Sequence, residues 1–447
     1  MPAVGAAAEG LTAGEAIRRG SRDTTAGLQL SDVIRVYAAD YVAWRGGNLS
    51  GEELRVLKEL AACRTPLLGG HASQCDHCGA WESFWHSCRN RHCPLCGGAE
   101  RARWLERCRQ DLLPTVYYHT IFTLPHELCA LALANRKVLY DLLFHATAET
   151  LQEVAANPQH LGAKLGLTLV LHTWGQSLQL HPHVHGVVAG GGLSPEGTRW
   201  IAARQDFFLP VRVLSPVFRG KFLSGLKRAW GAGALRLEGD LAPLADAAAW
   251  AKWLSPLYHK DWNVHVQPPP SEKASDPEAV LKYLARYAWG VAISNSRLQS
   301  LTEEGVTFRW KDYRHGNQEK TMTLSGVEFL RRFLQHVLPS GFVRIRYYGF
   351  LSMRQRARAL PLCRQLLKLA NAGADEPSPL PALGEGADAA DNVAAELRTC
   401  PVCGQGKLRP VRTWRRPTVP ELMAHRFWCP LPPVVACGSV SPRGSPP

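Results

Sequence analysis

The stretch HPHVHGVVAGGG, from His181 to Gly192, decides how the rest of the chain is interpreted. Its valines are β-branched and favour a strand from about His183 to Ala189, which the glycines end. Side chains alternate between the two faces of a strand, so His183 and His185 share one face. Two neighbouring imidazoles can hold a divalent metal ion and leave its other positions open for phosphate oxygens. Histidines joined only by hydrogen bonds in a polar groove are the alternative.

A pair of tyrosines about a hundred residues further on is the second feature. Tyr283 and Tyr287 stand four apart in YLARY, a segment that we expect to be helical, so both phenols would lie on one helix face. The third metal ligand stays open among Gln176, Gln179, His181, His172 and His119. The glycines at 190–192 predict either a tight turn or a close approach of a DNA backbone.

Two CxxC pairs predict a structural zinc site in the N-terminal part of the chain. Cys75-x2-Cys78 and Cys93-x2-Cys96 can each present two sulfurs from one turn. The fourteen residues between them allow the two turns to meet around one tetrahedral Zn²⁺. Residues that could replace one of these ligands are Cys63, Cys88, His71, His77, His86 and His92.

Composition and charge restrict the class of protein. The 447 residues allow two or three domains, and 52 Lys and Arg against 38 Asp and Glu give a net charge of +14. Such a charge is expected of a protein that approaches a polyanion. No apolar run reaches the ~18 residues of a transmembrane helix, and the N-terminus lacks the features of a signal peptide. Thirteen cysteines in a chain expected to be cytoplasmic then indicate bound metal or free thiols rather than disulfides.

Seven stretches of the sequence resemble one protein family. They are LGGHASQCDHCG, SCRNRHCPLC, YYHTIFTLPHEL, LHTWGQSLQLHPHVHG, YLARY, VAISNSRL and FLRRFLQHVLPSGFVRIRYYGFL. His-hydrophobe-His with a later helical tyrosine is the signature of the HUH nucleases, which cut single-stranded DNA. The paired tyrosines resemble the rolling-circle branch of that superfamily. From about Ser31 to Ala372, the chain is similar to transposases of the insertion-sequence-91 type.

The resemblance implies an α+β fold with an HUH-type catalytic domain, an antiparallel sheet flanked by helices, after an N-terminal zinc-binding domain. The expected divisions are a disordered tail at 1–29, a zinc-binding DNA-recognition domain at 30–110, the HUH catalytic domain at 111–372, and a linker with a C-terminal tail at 373–447. In that tail, Cys400 and Cys403 could form half of a second zinc knuckle. The residues that could complete it are His425, Cys429 and Cys437.

The resemblance also implies the chemistry. Mg²⁺ or Mn²⁺ held by His183 and His185 would polarise the scissile phosphate of single-stranded DNA. Tyr283 or Tyr287 would attack it, leaving a 5′-phosphotyrosine and a free 3′-hydroxyl, so that the ends of a mobile element are nicked and rejoined. Host helicase and polymerase are the implied partners. The expected location is the bacterial cytoplasm, with nucleoid association when DNA is bound, no membrane contact, and an oligomer left open.

Basic residues beside aromatic ones are candidates for DNA binding. Those that we single out are Arg89, Arg91, Lys282, Arg286, Arg297, Arg344 and Arg346. The first two lie among the cysteines, where the resemblance implies recognition of the element's end. The next two flank the tyrosines, and the last two alternate on one predicted strand face. A solvated basic surface is the competing interpretation for each of them.

Two other functions are compatible with this sequence. A plasmid replication initiator or relaxase shares the chemistry but acts at an origin, and the zinc module argues against it. A catalytically decayed DNA-binding protein is the second. Its support is one departure from the family pattern: Tyr287 is followed by Ala288-Trp289-Gly290, where the family typically has Thr-His-Arg. The lost side chains could have served phosphate binding or metal positioning, a role that Arg297 could take over.

Overall fold

The computed structural model describes residues 27–204, 207–267, 290–371 and 398–416. The described helices are α1 (Leu30–Trp44), α2 (Gly51–Ala61), α3 (Gly98–Asp111), α4 (Cys129–Ala134), α5 (Arg136–Ala156), α6 (Val211–Gly231), α7 (Ala247–His259), α8 (Gly326–Leu334) and α9 (Arg356–Asn371). The described strands are β1 (Gly70–Cys75), β2 (Trp81–Trp85), β3 (Tyr117–Thr123), β4 (Gly166–Trp174), β5 (Leu180–Ala189), β6 (Gly191–Leu193), β7 (Trp200–Ala202), β8 (Val264–Gln267), β9 (Leu298–Thr302), β10 (Gly305–Asp312), β11 (Gln318–Leu324), β12 (Ile345–Gly349) and β13 (Leu408–Trp414). Among these helices, none has both the length and the apolar character that a membrane crossing requires.

The chain divides into two compact units, and both combine helices with antiparallel strands. The first unit comprises the described residues up to Cys96, Ile293–Val337 and 398–416, and the second comprises the rest. The predicted α+β class is confirmed. The units differ from the expected domains, which assigned residues 293–337 to the catalytic domain and most of α3 to the zinc-binding domain. Pairing between strands from distant parts of the chain sets the limits of a unit, and local sequence patterns do not reveal it.

The first unit is built on two three-stranded antiparallel sheets. β1 is the centre of one sheet, between β13 and β2, and β10 is the centre of the other, between β11 and β9. The helix α2 begins at a capping box. Ser50 Oγ accepts a hydrogen bond from the backbone N–H of Glu53 (3.2 Å), and the Glu53 carboxylate accepts one from the backbone N–H of Ser50 (2.8 Å). This box fixes the start of the helix that leads to the first cysteine, Cys63.

The second unit is organised around a five-stranded antiparallel sheet in the order β12-β4-β5-β3-β8. β5 contains the predicted strand and begins three residues earlier, at Leu180. Val184 and Val188 are buried on one face, in the core that includes residues of α5 and α6. Val187 on the opposite face is buried in a second cluster with Trp104 of α3. Because both faces are covered, His183 and His185 of β5 also lie in the interior.

The glycine run ends β5 for a steric reason. A Cβ at Gly190 would lie 2.9 Å from the carbonyl oxygen of Val116, and one at Gly192 would come even closer to the carbonyl oxygen of Lys164. Gly191 has a φ of +152°, which L-residues with a side chain rarely adopt. The close approach in this structure is therefore to backbone of the same unit.

Candidate functional site

Four histidines gather on one face of the five-stranded sheet. His183 and His185 lie two apart on β5, as predicted, and His172 on β4 lies directly opposite His183 in the antiparallel register. His119 on β3 is opposite Val187, one step further along the same face. Directly opposite residues of an antiparallel pair project from the same face, so strand pairing alone brings the four rings together.

Three of these histidines form a group that can hold a metal ion. One ring nitrogen from each of His172, His183 and His185 lies within 4.8 Å of the other two, and all three residues are buried. The Nε2 atoms of His183 and His185 are 3.0 Å apart. Neighbouring ligands on an octahedral ion with bonds of ~2.1 Å have about that separation. The residues therefore fit a divalent cation, and among the candidate histidines it is His172 that joins the predicted pair.

The remaining candidates for the third ligand have other positions. His119 contacts His185 and stands outside the group of three. His181 is exposed at the beginning of β5. Gln176 and Gln179 lie in the turn that joins β4 to β5. The short turn between these strands sets the register that places His172 opposite His183.

Hydrogen bonds at the outer ring nitrogens orient two of the rings. His183 Nδ1 lies 2.6 Å from the carbonyl oxygen of His181, which can only accept, so this Nδ1 donates and Nε2 keeps its lone pair. His185 Nδ1 lies 2.8 Å from His119 Nε2. When His185 donates to His119, both inner Nε2 atoms offer lone pairs to a metal ion. When His119 donates, His185 Nε2 can donate to His183 and complete a chain of hydrogen bonds without metal.

Burial favours the neutral rings that metal binding requires. Desolvation lowers the pKa of both His183 and His185 well below the usual value for histidine, and the nearby His172 lowers them further. Burial also lowers the pKa of His119, to about 4. Since a metal ion binds an unprotonated ring nitrogen, the chemistry of this donor set fits the cation as well as its geometry does.

The predicted nucleophiles and the basic residues beside them lie outside the described part of the chain. These residues are Tyr283, Tyr287, Lys282 and Arg286. The described residues on either side of that segment belong to the histidine-bearing unit. Gln267, the last residue of β8, pairs with His119, and the carbonyl oxygen of Gly290 accepts a hydrogen bond from Arg344 Nη1 (3.0 Å). Arg344, a predicted DNA-binding residue, thus holds the backbone at Gly290.

The arginines predicted to bind DNA in the first unit differ in exposure. Arg89 and Arg91 are exposed, among the cysteines. Arg297 is partly buried: its Nε donates to the carbonyl oxygen of Arg309 (2.8 Å), and its guanidinium lies 5.5 Å from the ring centre of Phe308. Burial lowers the pKa of Arg297. Arg297 therefore has structural contacts that its position in the sequence does not reveal.

Arg346 of β12 is also engaged within the protein. Its guanidinium is hydrogen-bonded to the carboxylate of Asp141 on α5. It also lies 4.3 Å from the ring centre of Phe144 and 5.1 Å from that of Phe342. The alternation of arginines in the sequence predicted a DNA-facing strand surface. The structure instead assigns Arg346 to the packing of α5 against the sheet.

The predicted zinc site is wrong in its ligand set. The structure separates Cys75 and Cys78 from the second CxxC pair and places the two pairs in different clusters. The cluster that contains the second pair consists of Cys63, Cys88, Cys93 and Cys96. Three Sγ–Sγ distances in this cluster are 3.4, 3.5 and 3.6 Å, close to the ~3.8 Å expected around a tetrahedral Zn²⁺ with Zn–S bonds of ~2.3 Å. β2 fills part of the fourteen-residue gap and runs back along β1, so the two turns do not meet.

The partners predicted for Cys400 and Cys403 in a second zinc knuckle are also wrong. Cys400 and Cys403 complete the cluster of Cys75 and Cys78. The predicted partners were His425, Cys429 and Cys437, which lie outside the described residues. The sequence contains one signal that relates these C-terminal cysteines to Cys75 and Cys78, because both pairs occur in a CxxCG motif. Gly79 and Gly404, which follow Cys78 and Cys403, both have a positive φ, +72° and +68°, as in matching CxxCG turns.

Comparison with known proteins gives the class to which this fold and these sites belong. Residues 33–124 match a family model described as "Transposase zinc-binding domain", and residues 166–359 match one described as "Putative transposase". The chain is 48% identical over 383 residues to "Putative transposase y4qJ" of Sinorhizobium fredii, a match that covers 86% of this chain and 94% of the relative. It is 30% identical over 343 residues to "Transposase for insertion sequence element IS801" of Pseudomonas savastanoi pv. phaseolicola, with 73% and 77% covered. No solved structure matches it significantly.

These matches define a transposase with an N-terminal zinc-binding domain. The chain belongs to the insertion-sequence-91 family of transposases. The resemblance found in the seven sequence stretches is therefore confirmed. The first matched region includes Cys63 and the first two CxxC pairs, and the second includes all three histidines of the metal-binding group.

Proposed function

We propose that this transposase cuts and rejoins single-stranded DNA at the ends of its mobile element through a covalent tyrosine–DNA intermediate. The observation that carries the proposal is the buried group of His172, His183 and His185, whose spacing and neutral rings suit a divalent cation. Mg²⁺ or Mn²⁺ bound there would supply positive charge against the oxygens of the scissile phosphate. A transposase of this family needs that charge at a site of DNA cleavage.

Tyr283 or Tyr287 makes the attack. A bond forms between the phenol oxygen and phosphorus while the bond from phosphorus to the 3′ oxygen breaks. The phenol gives up its proton, and the 3′ oxygen leaves as a hydroxyl. The 5′-phosphotyrosine keeps the energy of the phosphodiester, so attack by another 3′-hydroxyl rejoins the strand without ATP. Two tyrosines permit two such steps in succession.

The positions of the flanking residues support the role of the tyrosines. Gln267, the last residue of β8, pairs with His119, and the carbonyl oxygen of Gly290 accepts a hydrogen bond from Arg344. Both points belong to the unit that carries the histidines.

The proposal includes the partners that rolling-circle transposition requires. Single-stranded DNA and the element ends are the substrates, and the exposed Arg89 and Arg91 contact phosphates. Host helicase and polymerase separate and copy the strands. The net charge of +14 favours the approach of the protein to DNA.

Trapping the covalent intermediate tests the proposal. The purified chain is incubated with Mn²⁺ and labelled single strands from the two ends of the element, and protein–DNA adducts that resist phenol extraction are counted. We expect an adduct with the unaltered chain, none with Tyr283→Phe/Tyr287→Phe, and none with His172→Ala. Tyr313→Phe is the matched control, because this tyrosine is exposed in the first unit, and it should leave the adduct unchanged.

Two results would overturn the proposal. DNA binding without any adduct would indicate a decayed, non-catalytic DNA-binding protein, in line with Ala288-Trp289-Gly290 after the second tyrosine. An adduct that survives the double Phe substitution would assign the nucleophile to another residue.

A further inference from the structure

The first unit contains a second cluster of four cysteines, which joins two distant parts of the chain. Its members are Cys75, Cys78, Cys400 and Cys403, and their sulfur atoms all lie within 4.8 Å of one another. The Cys75–Cys403 and Cys78–Cys400 distances between Sγ atoms are 3.7 and 3.8 Å, across sequence separations of 328 and 322 residues. Disulfides have S–S distances of ~2.0 Å, so these sulfurs are not bonded to each other. The spacing is that of thiolates around a tetrahedral Zn²⁺, about 3.8 Å.

Backbone hydrogen bonds to sulfur are formed in both halves of the cluster. Cys75 Sγ accepts from the backbone N–H groups of His77 and Cys78, each at 3.4 Å. Cys403 Sγ accepts from the backbone N–H of Gly406, also at 3.4 Å. Such donors stabilise the negative charge of a metal-bound thiolate and orient it. A Cβ at Gly406 would collide with Cys75 Sγ, so the two turns are fitted closely against each other.

The C-terminal segment makes few apolar contacts with the N-terminal hairpin, chiefly through Leu408 and through Trp414, whose ring lies 5.2 Å from that of Trp85. β13 pairs with β1 from Gly70–Trp414 to Cys75–Leu408. Of the seven residues of β13, Leu408 alone is buried, and its core cluster contains only two other buried residues, Cys75 and Cys400. Asp76, between the two N-terminal cysteines, adds polar contacts, since its carboxylate accepts from the backbone N–H of Lys407 (2.7 Å) and from Arg409 Nε (3.0 Å). Exposed polar contacts of this kind stabilise a fold only weakly.

We propose that the Cys75, Cys78, Cys400 and Cys403 cluster binds a second Zn²⁺ ion, which fastens residues 398–416 to the N-terminal hairpin of β1 and β2. Half of its ligands lie outside both regions that match the family models, 33–124 and 166–359. Soft thiolate ligands in a tetrahedral set select zinc over hard cations such as Mg²⁺. The inference is independent of the proposed DNA chemistry, because the zinc holds structure and takes no part in cleavage.

Zinc content of the full chain, measured by mass spectrometry of the metal after removal of loosely bound ions, tests the proposal. We expect the double variant Cys400→Ser/Cys403→Ser to lose one zinc per chain relative to the unaltered protein. Cys129→Ser is the matched control, because this buried cysteine lies outside both clusters and its hydroxyl can still donate to the carbonyl oxygen of Leu180. It should lose none.

Trypsin provides a structural readout. In the zinc-loaded chain, cleavage after Lys407 and Arg412 should be slow because β13 is paired along β1. Both sites should be cut rapidly in the double Ser variant. Zinc content equal to that of the unaltered chain in this variant would overturn the proposal.

A second variant decides the matter if the double Ser variant fails to fold. Cys403→His retains a zinc ligand and should keep the full zinc content, although histidine is larger and more polar than the cysteine it replaces. The zinc content of the unaltered chain is the deciding measurement that needs no variant. Two zinc ions per chain are expected, one for each cluster of four cysteines, and a content of one would overturn the proposal.

Discussion

Replacing His119 with alanine should weaken metal binding while leaving all three ligands in place. His119 Nε2 lies 2.8 Å from His185 Nδ1, and His119 is only 3% exposed, so bulk water does not replace this partner easily. Removing the hydrogen-bond partner of a metal-bound histidine typically costs about 10- to 100-fold in affinity. That corresponds to about 1.4–2.7 kcal/mol. His119→Gln offers a polar group at a similar reach and should recover most of the loss.

Calorimetric titration of Mn²⁺ into the full chain measures this effect, since soft thiolate clusters do not compete for the harder ion. We expect affinity to fall in the order unaltered chain, His119→Gln, His119→Ala, His172→Ala. His145→Ala is the control, because His145 is exposed on α5, and its affinity should equal that of the unaltered chain. Thermal denaturation of each variant verifies that the fold is intact.

Unchanged Mn²⁺ affinity in both His119→Ala and His172→Ala would refute the reasoning. It would mean that the rings of His119, His185 and His183 form a chain of hydrogen bonds to the carbonyl oxygen of His181, and that Mn²⁺ binds elsewhere. A loss in His119→Ala as large as that in His172→Ala would assign His119 to the ligands themselves.

Two further predictions concern charged residues outside the histidine group. Arg346→Met removes the partner of Asp141 at nearly constant volume and should lower the free energy of unfolding by about 1–2 kcal/mol in urea titrations, with DNA affinity unchanged. Arg89→Ala, at an exposed position, should instead weaken DNA binding and leave the free energy of unfolding unchanged. Weaker DNA binding by Arg346→Met at unchanged stability would contradict the packing role of Arg346. Hydrogen bonds from Arg331 and a second arginine of α8 lower the pKa of Glu328 to about 2. The pKa of this carboxyl is ~4.3 in the unfolded chain. Its contribution to the stability of the fold is therefore complete above about pH 5 and is lost as the pH falls through 2. Glu328→Gln should therefore cost about 1–2 kcal/mol at pH 7, allowing for solvent screening, and only a small part of that at pH 2, where about half of the folded-state carboxyl is protonated. An equal cost at both pH values would exclude the ion pair as the cause.

Local spacing by itself determined several features of this protein. The two-residue period of a strand places His183 and His185 on one face wherever the strand lies, and the structure confirms the strand. The CxxC spacing places two sulfurs at one turn, and this holds for each of the three pairs. These features were predictable because each depends on the covalent geometry of a few consecutive residues.

The tertiary structure alone decided which of these local pieces meet. His172 became a candidate ligand because strand register puts it opposite His183, and His119 contacts His185 across 66 residues of sequence. In the same way, Cys78 meets Cys400 across 322 residues rather than the nearer Cys93. Partner choice of this kind follows from the pairing of whole strands and the burial of whole faces. Closing a longer loop adds little entropic cost, so proximity in sequence is a poor guide to which ligands share an ion.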